Sequence, residues 1–378
     1  MKTAKLYFAT NRAHEGKNRW KPTGYGIKFS SDGHENLRFG ELTLKYDQGK
    51  VDKCLNKEFG NGRIGDGEKL SGVLAASAKK ASITAYEDHT ATAKKAIAQA
   101  NNSSTVFFRN IKESMMSGAD VLIFIHGYNV SWDSAVASAA ALQLSLNSKL
   151  KKEEKEVIVV LFSWPSNGSM MPFAAYKSDR VDARDSGTSI GRGILKLRDF
   201  LATLKRGAKE ENEKLCGANI HLLCHSMGNY VLRNALEKKV IGYSRGRMPR
   251  IFQHIFMCAA DVDDNALEDS SNGLSRLHEL AGNVSVYHNQ EDFALHISDS
   301  TKNEADRLGQ TGSAHPALVH NKVHQVNCTP IVRGFTEHSY YLWATVNDDI
   351  RQSIQGNSFD DKQRKRKLNG QNREWTMI

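Results

Sequence analysis

The stretch HLLCHSMGNYVLRNAL, His221 to Leu236, decides how the rest of the chain is read. Its first half is apolar and short, the profile of a buried strand. Its second half spaces Val231, Leu232, Ala235 and Leu236 as one face of a helix. Ser226 stands between the two. Serine is a good helix cap, so a capping hydroxyl is one reading. The other is a nucleophile lifted above a sheet on a sharp strand-to-helix turn, with Gly228 letting the helix begin close to the strand. Cys224 occupies the place where G-x-S-x-G has its first glycine. Close approach there needs a small residue, and cysteine is small enough.

Strand and helix patterns alternate on both sides of this stretch. Upstream come VLIFIHG (121–127), the alanine- and leucine-rich SWDSAVASAAALQLSLNSKL (131–150), VIVVLFSW (157–164), and a run with apolar residues at Ile190, Ile194, Leu195, Leu197 and Leu201. Downstream come IFQHIFMCAA (251–260), NVSVYHN (283–289) and KVHQVNCTPIV (322–332). Strands that are apolar throughout belong in parallel sheets covered on both faces. The pattern predicts an α/β fold with a mostly parallel, doubly wound sheet. KLYFATNR and RFGELTLKY, near the start, read as two antiparallel strands at its edge. Residues 51–118 read as a helical insertion. Apolar patterning fades past Asn347, so the expectation is one domain over 1–350 and a mobile basic tail over 351–378.

Composition narrows the class. Hydrophobic residues make up 40% and charged residues 25% of the 378, as in a globular protein in water. No apolar run approaches the ~18–20 residues that span a bilayer. The start, MKTAKLYFATNR, is broken by polar residues too early for a secretory signal; the expected location is the cytoplasm. Five cysteines without a C-x-x-C pair suggest neither a disulfide framework nor a zinc site. Metal-ligand spacing and a phosphate-binding glycine loop are both missing, so no metal or cofactor is expected. The net charge of +10, partly gathered in DDKQRKRKLNGQNR, favours an anionic partner: a lipid surface, an acidic protein or nucleic acid. A solvated tail has the same composition.

A serine nucleophile needs a base, an acid and an oxyanion hole. His338, in GFTEHSYYL after KVHQVNCTPIV, follows the final strand and is the candidate base among 14 histidines. Asp292, after NVSVYHN, is the favoured acid; Asp261, followed by Asp263 and Asp264 one strand earlier, is the alternative. Either would fix the histidine tautomer. The oxyanion donors would be the amides of Met227 and of Tyr128, with Asn129 next in line after His126-Gly127. Asn129, Trp164 and Tyr176 lie where a substrate entrance would form, together with Asp179 and Arg180, although an indole such as Trp164 more often fills a core.

FATNR, HGYN, FSWPS, YKSDR, HSMGN, AADVD, the DFALHIS run and EHSYYL occur in that order. Together they resemble the bacterial α/β-hydrolase family called domain of unknown function 900, over most of residues 4–345 outside the insertion. The resemblance implies an α/β-hydrolase fold with Ser226 as nucleophile, and no particular substrate. The functional expectation is a serine hydrolase, esterase- or lipase-like, acting on a small-molecule or lipid acyl bond. The rival expectation is a hydrolase-fold binding or effector protein, recruited to nucleic acid, membrane or a protein through the basic tail and the insertion.

Overall fold

A computed structural model describes residues 1–58, 64–87, 102–166, 172–210, 217–244, 246–295, 306–332, 337–370 and 374–378. Its centre is a row of parallel strands. They are β1 (Lys2–Thr10), β6 (Asp120–Ile125), β7 (Val157–Ser163), β8 (Ile220–His225), β9 (Phe252–Cys258), β10 (Ala281–His288), β11 (Val323–Asn327) and β13 (Glu374–Met377). With β4 (Arg38–Tyr46), β5 (Ser82–Ala85) and β12 (Arg366–Asn369) they make an 11-stranded sheet in the order β12-β13-β11-β10-β9-β8-β6-β7-β1-β4-β5. Among the described strands of this sheet, β12, β4 and β5 join antiparallel. Strands β2 (Arg12–Glu15) and β3 (Gly24–Phe29) form a separate two-stranded sheet.

Side chains alternate across each strand, so β1 sends Leu6 and Phe8 to one face and Tyr7 and Ala9 to the other, and both sets are buried. The first face joins Leu122, Phe124 and Leu161 to the helices α1 (Gln48–Leu55), α2 (Gly67–Ala78) and α4 (Trp132–Asn147). The second joins Val121, Ile125 and Phe162 to α3 (Ser103–Met116), α5 (Pro172–Glu210) and α6 (Gly228–Ala235). Ala135, Ala137, Ala139, Ala140 and Ala141 of α4 are all buried, which lets its backbone lie close to the sheet. The two covered faces explain why β8 is buried along its whole length.

Two expectations change in detail. The described part of the 51–118 segment holds the end of α1, all of α2 and α3, and also β5, which pairs with β4 and forms one edge of the sheet. Consequently β1, expected at the edge, lies inside, antiparallel to β4 and parallel to β7. The larger correction concerns the tail. Helix α7 (Ala344–Ile354) runs across the expected boundary, and β12 and β13 then close the opposite edge. Arg364 and Arg366 point inward, where Asp349 receives Arg364 at 2.8 Å and Arg366 at 3.2 Å. The Tyr287 hydroxyl donates to the same carboxylate at 2.7 Å. All three charged side chains are inaccessible to water. Two of the five described basic residues in the run are therefore structural, and the other three, Lys362, Lys365 and Lys367, are exposed.

Along the sheet, β6 lies between β7 on one side and β8 on the other, so successive crossovers leave in opposite directions. A crevice at the carboxyl ends of the strands forms at such a reversal. There β6 delivers His126-Gly127 and β8 delivers His225-Ser226.

Candidate active site

Ser226 sits at φ +51, in the left-handed region that a side-chain-bearing residue adopts only under constraint. The constraint is visible. Its N–H donates to Cys258 O at 2.9 Å, and its carbonyl accepts from Asn229 N at 3.0 Å and Asp261 N at 3.2 Å. Asn229 Nδ2 also donates to Cys224 O and Ser226 O, both at 3.1 Å. Gly228 follows because nothing larger fits: a Cβ there would lie 2.6 Å from Ile125 O and 2.9 Å from His126 O. Gly127 faces the serine in the same manner, where a Cβ would come to 3.0 Å from Ser226 Cβ and 3.4 Å from its hydroxyl. Cys224 is buried among apolar side chains, and burial pushes its thiol well above the usual range. It acts as a small hydrophobe.

His338 and Asp292 are 46 residues apart, and the fold puts their side chains in contact. His338 Nδ1 lies 2.7 Å from Asp292 Oδ2 and 3.0 Å from Oδ1. A carboxylate can only accept, so Nδ1 carries the proton and Nε2 is left as the basic nitrogen. Burial works against the imidazolium, yet the charge and hydrogen bond of Asp292 outweigh it, and the pKa of His338 is raised. Asp292 is itself buried on a tight turn, its N–H on Asn289 O and its Oδ1 accepting from Ala294 N.

His225 ties this pair to the serine. Its Nε2 is 3.1 Å from His338 O, and its ring lies 4.7 Å from the His338 ring and 4.8 Å from that of Tyr341. A carbonyl accepts, so Nε2 donates. Burial drives the His225 pKa well below the usual value, which keeps the ring neutral. It is a strut from the residue before Ser226 to the backbone of His338.

The alternative acids are otherwise engaged. Asp261 accepts from the Tyr176 hydroxyl at 2.9 Å and 3.1 Å, with Arg307 Nε at 3.7 Å and Arg180 at 4.0 Å. Asp263 pairs with Arg307 at 2.6 Å. Tyr176 is thus buried against Asp261, its ring edge-on to Tyr128 at 5.6 Å. Arg180 lies over the Tyr230 ring at 3.9 Å. Trp164, weighed above as a substrate contact, is wholly buried. Its ring stacks on His126 at 5.3 Å, and its indole N–H donates to His126 O at 2.9 Å. Asn129 sits at φ +58, its N–H directed at Asp179 Oδ2 at 3.1 Å rather than at the crevice. Met227 is buried at the start of α6, directly after the serine.

Several residues here have roles that the motifs do not disclose. Burial, and then the neighbouring Glu68, push the Glu337 carboxyl up; Trp343 Nε1 donates to it at 3.0 Å. Both carboxyls, with Lys57, Asp66, Lys69 and Trp343, line a cavity of about 420 Å³ beside the His338 loop. Glu68 comes from α2 and Glu337 from a loop far along the chain, so no spacing links them. Arg12, fully buried behind the crevice, is another. Among the described residues no cluster of side chains could hold a metal ion, and no helix is long and apolar enough to cross a membrane.

A family model described as an alpha/beta hydrolase of unknown function, DUF900, matches residues 99–346, more than half of the chain. The "Uncharacterized protein alr1448" of a Nostoc species is 24% identical over 318 residues, covering 67% of this chain and 78% of its own length. No solved structure matches.

Proposed function

Since the chain belongs to the α/β-hydrolase family of unknown function DUF900, we propose that it is a serine hydrolase that cleaves a carboxylic ester or related acyl bond. The observation that carries this reading is the 2.7 Å contact of His338 with Asp292, made beside a serine held at φ +51. Ser226 attacks the acyl carbon while His338 Nε2 takes its proton. The imidazolium formed is stabilised by Asp292. The negative oxygen of the tetrahedral intermediate is held by the amides of Met227 and Tyr128. His338 then protonates the leaving group, and water, activated by the same nitrogen, releases the acyl group from the serine. The chemistry needs no cofactor.

The net charge of +10 supports an ester presented at an anionic surface, and so a lipase-like substrate. Cys54, Cys224, Cys258 and Cys328 are free, buried thiols, in keeping with a reducing compartment such as the cytoplasm. The test is labelling with a fluorophosphonate probe, beside turnover of p-nitrophenyl esters of increasing chain length. Stoichiometric labelling that vanishes in Ser226→Ala is the expected result. A folded wild-type protein that neither takes the probe nor turns over any ester overturns the reading.

A further inference from the structure

Four successive residues, Gly127 to Val130, form the loop that would supply the second oxyanion donor, and buried side chains hold three of them by their backbone atoms. His126 Nδ1 lies 2.8 Å from Gly127 O. Its Nε2 meets the Trp164 N–H at 3.2 Å and Arg12 at 3.4 Å, both donors, so Nε2 accepts and Nδ1 carries the proton given to Gly127 O. Burial, reinforced by Arg12, pushes the His126 pKa down to about 3, which keeps this tautomer neutral. Asp179 Oδ2 accepts from Asn129 N at 3.1 Å and from the Ser166 hydroxyl at 2.5 Å. Ser166 Oγ in turn accepts from Val130 N at 3.1 Å. Arg12 donates to Val130 O at 2.7 Å, to Ser163 Oγ at 2.8 Å and to Gly26 O at 3.1 Å. Arg12, His126 and Asp179 are all buried. Arg12 lies outside residues 99–346, the span that the family model matches.

A peptide unit is planar and trans, so its C=O and N–H point in opposite directions. Anchoring Gly127 O on His126 therefore aims the Tyr128 N–H the other way, from a glycine that abuts Ser226. The next amide, that of Asn129, is spent on Asp179 and cannot serve. Asn129, at φ +58, is held on both sides, by its own N–H on Asp179 and by the Val130 N–H on Ser166. Buried charge is costly and is kept where it is hydrogen-bonded. Here each charge is spent largely on the backbone or hydroxyl groups that set one loop.

We propose that Arg12, His126 and Asp179 are positioning residues that preset the Tyr128 amide as the oxyanion donor. This rests on the serine-hydrolase reading above and adds the device that makes its second donor. None of the three touches the reacting atoms; they act through the Gly127–Val130 backbone.

The test compares wild type with Asp179→Asn and Arg12→Lys, which keep size or charge but lose the anchoring geometry. Three quantities are measured on protein shown to be folded: kcat and KM for p-nitrophenyl butyrate, the fluorophosphonate labelling rate, and inhibition by a trifluoromethyl ketone, whose serine adduct carries an oxyanion. The clamp predicts a fall in kcat of about 10²-fold, with KM within about twofold and ketone affinity weakened in parallel. A merely structural role would lower the melting temperature and leave the ketone affinity of the folded fraction unchanged. If Asp179→Asn does not fold, Ser166→Ala, which frees Val130 N and removes one of the two bonds to Asp179 Oδ2, should give the same pattern at about tenfold. A wild type that labels and turns over, with variants equal to it in kcat and ketone affinity, overturns the clamp alone. A wild type that never labels overturns the hydrolase reading and the clamp with it.

Discussion

Two of the regions in which this molecule buries arginine and aspartate use them differently. Behind the strand ends, Arg12 donates to Val130 O, Gly26 O and Ser163, and Asp179 accepts from Asn129 N and Ser166. At the far edge of the sheet, Asp349 takes Arg364 and Arg366 directly, side chain to side chain, and Arg366 also donates to Phe359 O at 2.8 Å. A charge bonded to backbone fixes the shape of a loop. A charge bonded to another side chain settles where an element packs. The first region should answer to mutation mainly in rate, and the second mainly in stability.

The largest expected effect tests the rate side. Asp292→Asn keeps the shape of the side chain but places an amide against His338 Nδ1, where the wrong tautomer is favoured. The expected loss in kcat is about 10⁴-fold. Asp292 holds the His338 pKa up against burial, so its removal lets burial prevail. The acid limb of kcat/KM, set by deprotonation of the base, should then move to lower pH. The same contact has a signature in stability. A histidine whose folded pKa is raised contributes stability that is fully present below its unfolded value of about 6.5 and lost as pH rises through the folded value. Asp292→Asn should therefore cost more in thermal melts at pH 5 than at pH 8. A limb that stays in place, with equal melting losses at both values, would separate Asp292 from the base.

The next effect tests the stability side. Asp349→Ala leaves two guanidiniums and the Tyr287 hydroxyl facing an emptied site with no access to water. Stranding a buried charge costs about 3–5 kcal/mol. Urea melts should show that loss, while kcat per folded molecule stays within about twofold of wild type. A variant that melts like wild type, or one that loses kcat without losing stability, would erase the contrast between the two regions.

The two regions were also unequally legible in the sequence. The strand–Ser226–helix turn could be read because its signals are local: a short apolar run, a small residue at 224, a glycine at 228, and helical spacing after it. The parallel, doubly covered sheet followed from β6, β7, β8, β9 and β10 being apolar throughout. His338 and Asp292 were placed by their order after strands. Arg12, His225 and Glu337 stand in the quoted stretches FATNR, HSMGN and EHSYYL, but their roles, like that of Glu68, could not be read there because their meaning lies in partners that only folding supplies. The basic tail was misread because a run of charges suggests solvent. Its burial alternates, with Arg364 and Arg366 inward and Lys365 and Lys367 outward. The alternation is not a strand's period: Arg364 ends a short 3-10 turn (Lys362–Arg364), Lys365 sits at φ +48, and β12 begins at Arg366, so no local periodicity marked which of these four cationic residues is buried. Residue type does not separate a buried, paired arginine from a solvated lysine; the position of Asp349 does.

The smallest effect concerns what those lysines do. Strand β12 is the last in the sheet, and Lys362, Lys365 and Lys367 are exposed along it or beside it. An exposed edge is a template for pairing with another chain, and lysine is a common means of blocking it. Replacing all three by alanine disturbs nothing buried, so stability should stay within about 0.5 kcal/mol per site. Self-association, followed by light scattering against concentration, should begin earlier than in wild type. The same protein settles the rival use of the run. If the lysines held nucleic acid, the dependence of binding on salt would weaken by about one unit of slope for each phosphate no longer neutralised. Unchanged scattering together with a weakened salt slope would make this edge a binding surface. Earlier association with no change in slope would make it a guarded sheet edge, which is the outcome expected from arginines that already face the core.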